Sequence, residues 1–247
     1  MLAIPNISQQ KADAIALLQK DILLLQSRPA LRPAGLGIGL GAINNVFPDG
    51  SFPTGAVHEF CCPTVEGTNA STGFLSGIVA TLMGGGGACV WASPRQSVFP
   101  PALAQYGIEP DKVVFINLQK ERDLVWAIEE ALKCNGLAAV VGEVQGLSFM
   151  ASRRLQLAVE ASRVTGFVLR RNTTNMEATA CAARWGVSPL PSTLDDGMPG
   201  VGHPRWRVEL LKVRNGRGGS WDVEWADGRF NIITDAAPMV QYQRRAI

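Results

Sequence analysis

Nothing in this sequence of 247 residues approaches the roughly 18 unbroken apolar residues that span a bilayer. No membrane helix is therefore expected. The opening Met1–Gln10 has neither a basic segment nor an apolar one, so no secretory leader is expected either. Histidine is scarce, with only His58 and His203. Five cysteines lack metal-ligand spacing, and no second cluster of His or Cys lies near Cys61 and Cys62, whose side chains point to opposite faces of any strand. No metal site is expected, and unpaired thiols fit a reducing, cytoplasmic setting. Two histidines are also few for a nucleophilic triad, and His58, set inside a strand, reads as a structural side chain. Charge is sparse, at 18% of residues with a net of +2. No lysine occurs between Lys20 and Lys112, whereas arginines crowd the half from Arg153 onward. What remains is apolar at 47%, enough for a sizeable core and too much for a disordered chain.

The apolar residues are patterned. Lys11–Gln26 has helical spacing, and Pro29 and Pro33 end it in a linker. The run Gly35–Gly41 (GLGIGLG) neither follows a strand nor opens a helix, so it is no dinucleotide fingerprint. Strands are expected at Ala56–Cys61, Ala88–Ala92, Val113–Leu118, Leu137–Val141 and Gly166–Leu169. Helices are expected at Thr68–Met83, Pro101–Tyr106, Glu121–Cys134, Ser152–Arg163 and Thr173–Trp185. This alternation predicts an α/β fold, a mostly parallel sheet flanked by helices. Arg205–Val213 and Gly219–Trp225 then alternate with period two around a glycine turn, which predicts a C-terminal antiparallel hairpin. Pro189–Pro204, rich in proline and glycine, reads as a loop. The expected organisation is an N-terminal helix and linker (1–33), a core (34–237) and a C-terminal tail (238–247). Cys89 and Cys134 read as inert core thiols. Cys61 and Cys62, at a strand end, read as more exposed.

Ligands of a parallel sheet sit at the carboxyl ends of its strands, and there Gly55–Asn69 (GAVHEFCCPTVEGTN) resembles the first strand and Walker A loop of RecA-like ATPases. Gly55 and Glu59 match the strand, and Pro63 and Gly67 match the loop. The departures are chemical. Cys62 stands where the resemblance puts the first loop glycine, Thr68 where it puts the phosphate-binding lysine, and Asn69 where it puts the magnesium hydroxyl. Glu66 adds a negative charge. A phosphate loop works by aiming backbone amides and a lysine at its anion. This degenerate nucleotide loop is expected to bind no nucleotide cofactor and to catalyse nothing. No acid follows Ala88–Ala92 at Ser93–Arg95, where the resemblance puts a catalytic glutamate. Glu143, at the Walker B position, reads as an ordinary polar residue at a strand end.

Four further segments narrow the resemblance: ASPRQSVFPPALAQY (92–106), ERDLVWAIEEALKCNGLAAVV (121–141), RRLQLAVEASRVTGFVL (153–169) and RWRVELLKV (205–213). Together and in this order, from about Gly35 to Trp225, they resemble the ImuA family, which groups with SulA-type division inhibitors. The resemblance implies a RecA-like core and an accessory role in damage-induced translesion DNA synthesis. It implies a Y-family polymerase homologue as partner, with RecA, DNA and a second copy of the chain as further partners. Contact residues are expected at the basic hairpin tip (Lys212, Arg214, Arg217) and in the tail (Arg244, Arg245). The rival readings are a SulA-like inhibitor, against which the C-terminal hairpin argues, and an ATP-dependent recombinase, against which the missing lysine argues.

Overall fold

Six short strands form the parallel part of this sheet, and each of the first five is followed by a connection that returns the chain to the same end of the sheet. They are β1 (Val57–Cys62), β2 (Ala88–Ser93), β3 (Val113–Asn117), β4 (Leu137–Val144), β5 (Thr165–Arg171) and β6 (Ala183–Leu190). All six run parallel. Antiparallel β7 (Arg205–Val213), β8 (Gly219–Ala226) and β9 (Arg229–Asp235) extend them. The order is β3-β2-β4-β5-β1-β6-β7-β8-β9. The structure is a computed structural model and describes residues 37–173, 177–192 and 202–235. The expected N-terminal helix and linker, the tail with Arg244 and Arg245, and most of the loop expected after Leu190 lie outside the described residues.

Because β1 lies between β5 and β6, its alternate residues feed two cores. Phe60 and Cys62 join Trp91, Val141, Leu169 and Trp185 beneath helix α1 (Val65–Gly84). Val57 joins Val140 and Val168 beneath α2 (Glu121–Leu132) and α3 (Phe149–Ser162). The small residues of α1 have a purpose here. A Cβ on Gly77 would stand 2.5 Å from the Phe230 ring and 2.7 Å from that of Trp225. The helix therefore lies on the aromatic face of the C-terminal strands at a distance only glycine allows.

The structure corrects the sequence expectations at two places. The alanine-rich stretch expected as a helix over Thr173–Trp185 has no helix in its described part, and its end enters β6. Local propensity loses to the unpaired edge of β1: the Ala182 amide donates to the Val57 carbonyl at 2.8 Å, and Ala183, Arg184 and Trp185 pair with His58, Glu59 and Phe60. β9 was not expected at all. It follows a turn in which Asp227 and Gly228 both have positive φ (53° and 69°), the Asp-Gly hairpin signal. The short helix expected at Pro101–Tyr106 is present as a 3₁₀ helix, Pro100–Tyr106, and ends at Gly107 in the left-handed region. Another 3₁₀ helix, Gly41–Val46, follows the glycine run.

Candidate functional site

β1 reaches its last residue at Cys62, and α1 begins at Val65. Only Pro63 and Thr64 connect them. Thr64 is extended, and its Oγ1 accepts a hydrogen bond from the Gly67 amide at 3.0 Å. The Thr64 carbonyl accepts the Thr68 amide at 3.0 Å and the Thr68 hydroxyl at 2.9 Å. Glu66, Gly67, Thr68 and Asn69 thus lie in the first turns of a side-chain-capped helix, not in a loop wound around an empty centre. Exposed Glu66 sits where the helix dipole favours an acid.

The thiols differ from expectation. Cys61 and Cys62 are buried, at 4% and 0% exposure. Cys62 Sγ lies 3.4 Å from Ser71 Oγ, and burial raises its pKa. Burial and the charge of Glu59 push the Cys61 thiol to about 11, against the opposing pull of Arg184 and Arg170. Those arginines are basic neighbours that the sequence alone did not bring near. Cys89 is buried and pushed up to about 12, as a core thiol should be. Cys134 is exposed, because α2 ends at Leu132 and leaves it beyond the helix.

Two buried carboxylates mark this part of the sheet. Glu59 is 0% exposed. Its Oε1 accepts from Arg170 Nη1 at 2.6 Å, and its Oε2 from Arg184 Nε at 2.9 Å and Thr179 Oγ1 at 2.6 Å. Neighbouring strands β1, β5 and β6 supply the acid and both bases, so strand register sets the cluster. The sequence reading gave Glu59 only a place in a strand. The signal it did not use was two arginines, Arg170 and Arg184, beside otherwise apolar runs. Glu143 stands near the end of β4, as expected, but it is buried rather than an ordinary surface residue. Trp91 Nε1 donates to it at 2.9 Å and the Ser97 hydroxyl donates to the same oxygen. Arg171 Nε stands 4.0 Å from its other oxygen. After β2, the Ser93 hydroxyl donates to the Arg95 carbonyl at 2.7 Å.

His58 is the opposite kind of buried polar residue. Its Nε2–H donates to the Pro53 carbonyl at 2.7 Å and its Nδ1 accepts from Trp185 Nε1 at 3.3 Å. Those two bonds fix the neutral tautomer. Its ring stacks on Phe52 at 4.2 Å, and burial depresses its pKa to about 4.

The expected basic tip is elsewhere. β7 runs antiparallel to β6, with Val213 opposite Ala183 at the start of β6. Lys212, Arg214 and Arg217 are exposed at the amino edge of the parallel strands, while Cys62, Pro63 and α1 are at the carboxyl edge. The tip is anchored: the Arg214 amide donates to the Ala182 carbonyl at 2.8 Å and the Arg217 amide to the Val46 carbonyl at 3.4 Å. The structure therefore does not bring the two groups of candidate residues together. α2 and α3 also expose apolar side chains: Trp126, Phe149, Met150 and Leu157.

No helix of the described residues is long and apolar enough to cross a membrane. No protein-family profile matches the chain. Comparison with known proteins finds Protein ImuA of two strains of Caulobacter vibrioides (NA1000 / CB15N and ATCC 19089 / CB 15). Each is 33% identical over 201 residues, a match covering 76% of this chain and 82% of the relative. Cell division inhibitor SulA of Photorhabdus laumondii is 27% identical over 95 residues, 38% of this chain and 54% of that one. The match to Protein ImuA runs through most of both chains, and on it the chain belongs to the ImuA family.

Proposed function

We infer that this protein is a non-catalytic, cytoplasmic accessory factor for damage-induced translesion DNA synthesis. It works by contact with a Y-family polymerase homologue, and with RecA or DNA. The observation that carries the reading is the similarity to Protein ImuA along four-fifths of that relative, which supports a DNA-damage-associated accessory role. The site chemistry agrees. The helix-terminal amide that a phosphate would need at Gly67 is already held by Thr64, and no lysine stands at Thr68 to supply counter-charge. Glu66 beside a triphosphate is repulsive by about a kcal/mol or more. The exposed tip of Lys212, Arg214 and Arg217 is the basic surface suited to a partner or a phosphate backbone.

Titration with ATP and magnesium tests the catalytic half of this reading: no saturable binding is expected, and tight magnesium-dependent binding overturns it. A pull-down of the tagged chain from DNA-damaged cells tests the partner half, with recovery of a Y-family polymerase homologue expected. The partial similarity to SulA favours a second reading, inhibition of a tubulin-like division protein. Recovery of that protein without a polymerase would replace the first reading by the second.

A further inference from the structure

A cavity of about 520 Å³ opens at the carboxyl edge of the sheet, on the side of α2 and α3 and so across the sheet from α1. Its charged lining consists of Arg122, Arg154, Arg170, Glu121 and Glu177, with Ser148 at the start of α3. The positive groups outnumber the negative, and one of the acids is already engaged. Glu121 Oε1 accepts the backbone amides of Gln145 at 2.7 Å and Gly146 at 3.1 Å.

Arg170 is the telling residue. It is 5% exposed, and among the described residues its side chain bonds through Nη1 to Glu59. Glu59 must also serve Arg184, so one carboxylate stands between two guanidiniums and a buried positive charge is left over. Arg170 Nε is buried without a hydrogen-bond partner. An unpaired buried donor on a cation that shares its one carboxylate with a second arginine is costly, and an anion in the cavity is what would relieve it. The surroundings favour the same charge. Two helices of twelve and fourteen residues begin at the cavity and their dipoles add positive potential there, offset by Glu121 and Asp123 in the first turn of α2 and by Ser148 Oγ, which already holds the Ala151 amide at 3.1 Å. Arg122 is 91% exposed, and Arg154 is 58% exposed and paired at 3.1 Å with Glu129. Both sit at the rim in solvent-exposed ion pairs, Arg122 with Asp123 at 3.3 Å, which are weak enough to exchange for a ligand.

We propose that this cavity binds a phosphate group, with Arg170 as the buried anchor and Arg122 and Arg154 as the closing pair. Guanidinium forks combined with helix amino ends suit phosphate better than a halide or a lone carboxylate. The volume falls in the range of about 300–1,000 Å³ typical of small-molecule sites, so the phosphate has room to bring a sugar with it. The site shares no residue with the β1–α1 connection, and it stands whether or not the accessory role holds. Two sources share this chemistry, a small phosphate ester and the backbone of a nucleic acid.

The test uses the full chain, with inorganic phosphate followed by phosphorus NMR line broadening at fixed ionic strength. Saturable binding is expected, weakened about tenfold or more in R122A/R154A, as befits lost charge-assisted hydrogen bonds. Both substitutions fall on exposed helix positions and spare the Glu59 cluster. K112A/R229A, which removes the same charge from exposed sites elsewhere, should leave binding unchanged. A 5′-phosphorylated single-stranded oligonucleotide that displaces the phosphate assigns the site to nucleic acid, and failure to displace it assigns the site to small phosphates. Absence of saturation, or equal weakening in both double variants, overturns the proposal.

Discussion

His58 and Glu59 are consecutive residues of β1, both fully buried, and because side chains alternate along a strand they enter different cores. On the α1 side the solution is neutrality. His58 lies among Phe52, Phe167 and Trp185, both ring nitrogens have partners, and its proton affinity is depressed. On the α2/α3 side the solution is pairing. Glu59 keeps its place through two guanidiniums and a hydroxyl. A neutral ring asks only for matched hydrogen bonds. A carboxylate asks for opposite charge, and here it receives more than it can balance. The comparison teaches that one strand can bury a neutral ring on one face and a charged cluster on the other; the α1 side also carries buried charge, Glu143 facing Arg171, and what sets the α2/α3 side apart is two guanidiniums on one carboxylate next to a cavity.

The sharpest way to break this contrast is to remove Glu59. In E59A, Arg170 and Arg184 face each other with no acid between them. Truncating one member of a buried ionic cluster costs about 3–5 kcal/mol, so the urea midpoint should fall steeply. E59Q, which keeps an acceptor for one guanidinium, should lose less. Replacing Glu59, Arg170 and Arg184 together by apolar residues should recover much of the loss, since buried ion pairs rarely outperform apolar packing. If E59A unfolds at the wild-type urea concentration, the cluster does not hold β1, β5 and β6 in register.

The second prediction reads the His58 side by pH. Its folded pKa, about 4, lies below the ordinary 6.5. The unfolded chain therefore takes up a proton that the folded chain refuses. The stabilisation is fully present above pH 6.5 and is lost as pH falls from 6.5 to 4, where both states become protonated and the slope ends. At 1.36 kcal/mol per unit the loss is about 3 kcal/mol. Stability measured by denaturant titration across that window should show this slope, and H58F, which keeps the aromatic stack, should flatten it. An unchanged slope in H58F would assign the acid sensitivity to other groups.

Much of this fold was legible in the sequence because its strands are apolar runs and its helices amphipathic: α2, with Leu124, Ala127, Ile128, Ala131 and Leu132 buried, is placed by periodicity alone. What escaped the sequence was decided by distant partners. The residues before Trp185 favour a helix locally, and only the open edge of β1 turns their end into β6. Glu143 falls near the end of β4 as expected, but its burial among Trp91, Ser97 and Arg171 is something no local pattern reveals. The same holds for the candidate sites. The missing lysine at Thr68 is written in the sequence. The separation of Lys212, Arg214 and Arg217 from the β1–α1 connection depends on the direction in which β7 runs, which a hairpin signal does not specify. The Arg170 cavity depends on three strands in register and two helix ends, and no segment carries it alone.

The smallest effect bears on whether the β1–α1 connection is built for the fold or held in reserve for a ligand. Thr64 Oγ1 satisfies the Gly67 amide, one of the donors every helix leaves unpaired at its start. In T64A that amide is left to water, and the cost should be about 1 kcal/mol, seen as a modest fall in the urea midpoint. T64S, which keeps the oxygen, should lose little of it. The informative comparison is between that loss and ligand binding. Freeing the amide does not restore a lysine at Thr68 or remove Glu66, so T64A should bind ATP no better than the parent chain. The phosphate affinity of the Arg170 cavity, across the sheet, should not move. A gain of ATP binding in T64A would mean that the cap alone closes the site, and the β1–α1 connection would then be a ligand site held shut by Thr64 rather than a part built for the fold.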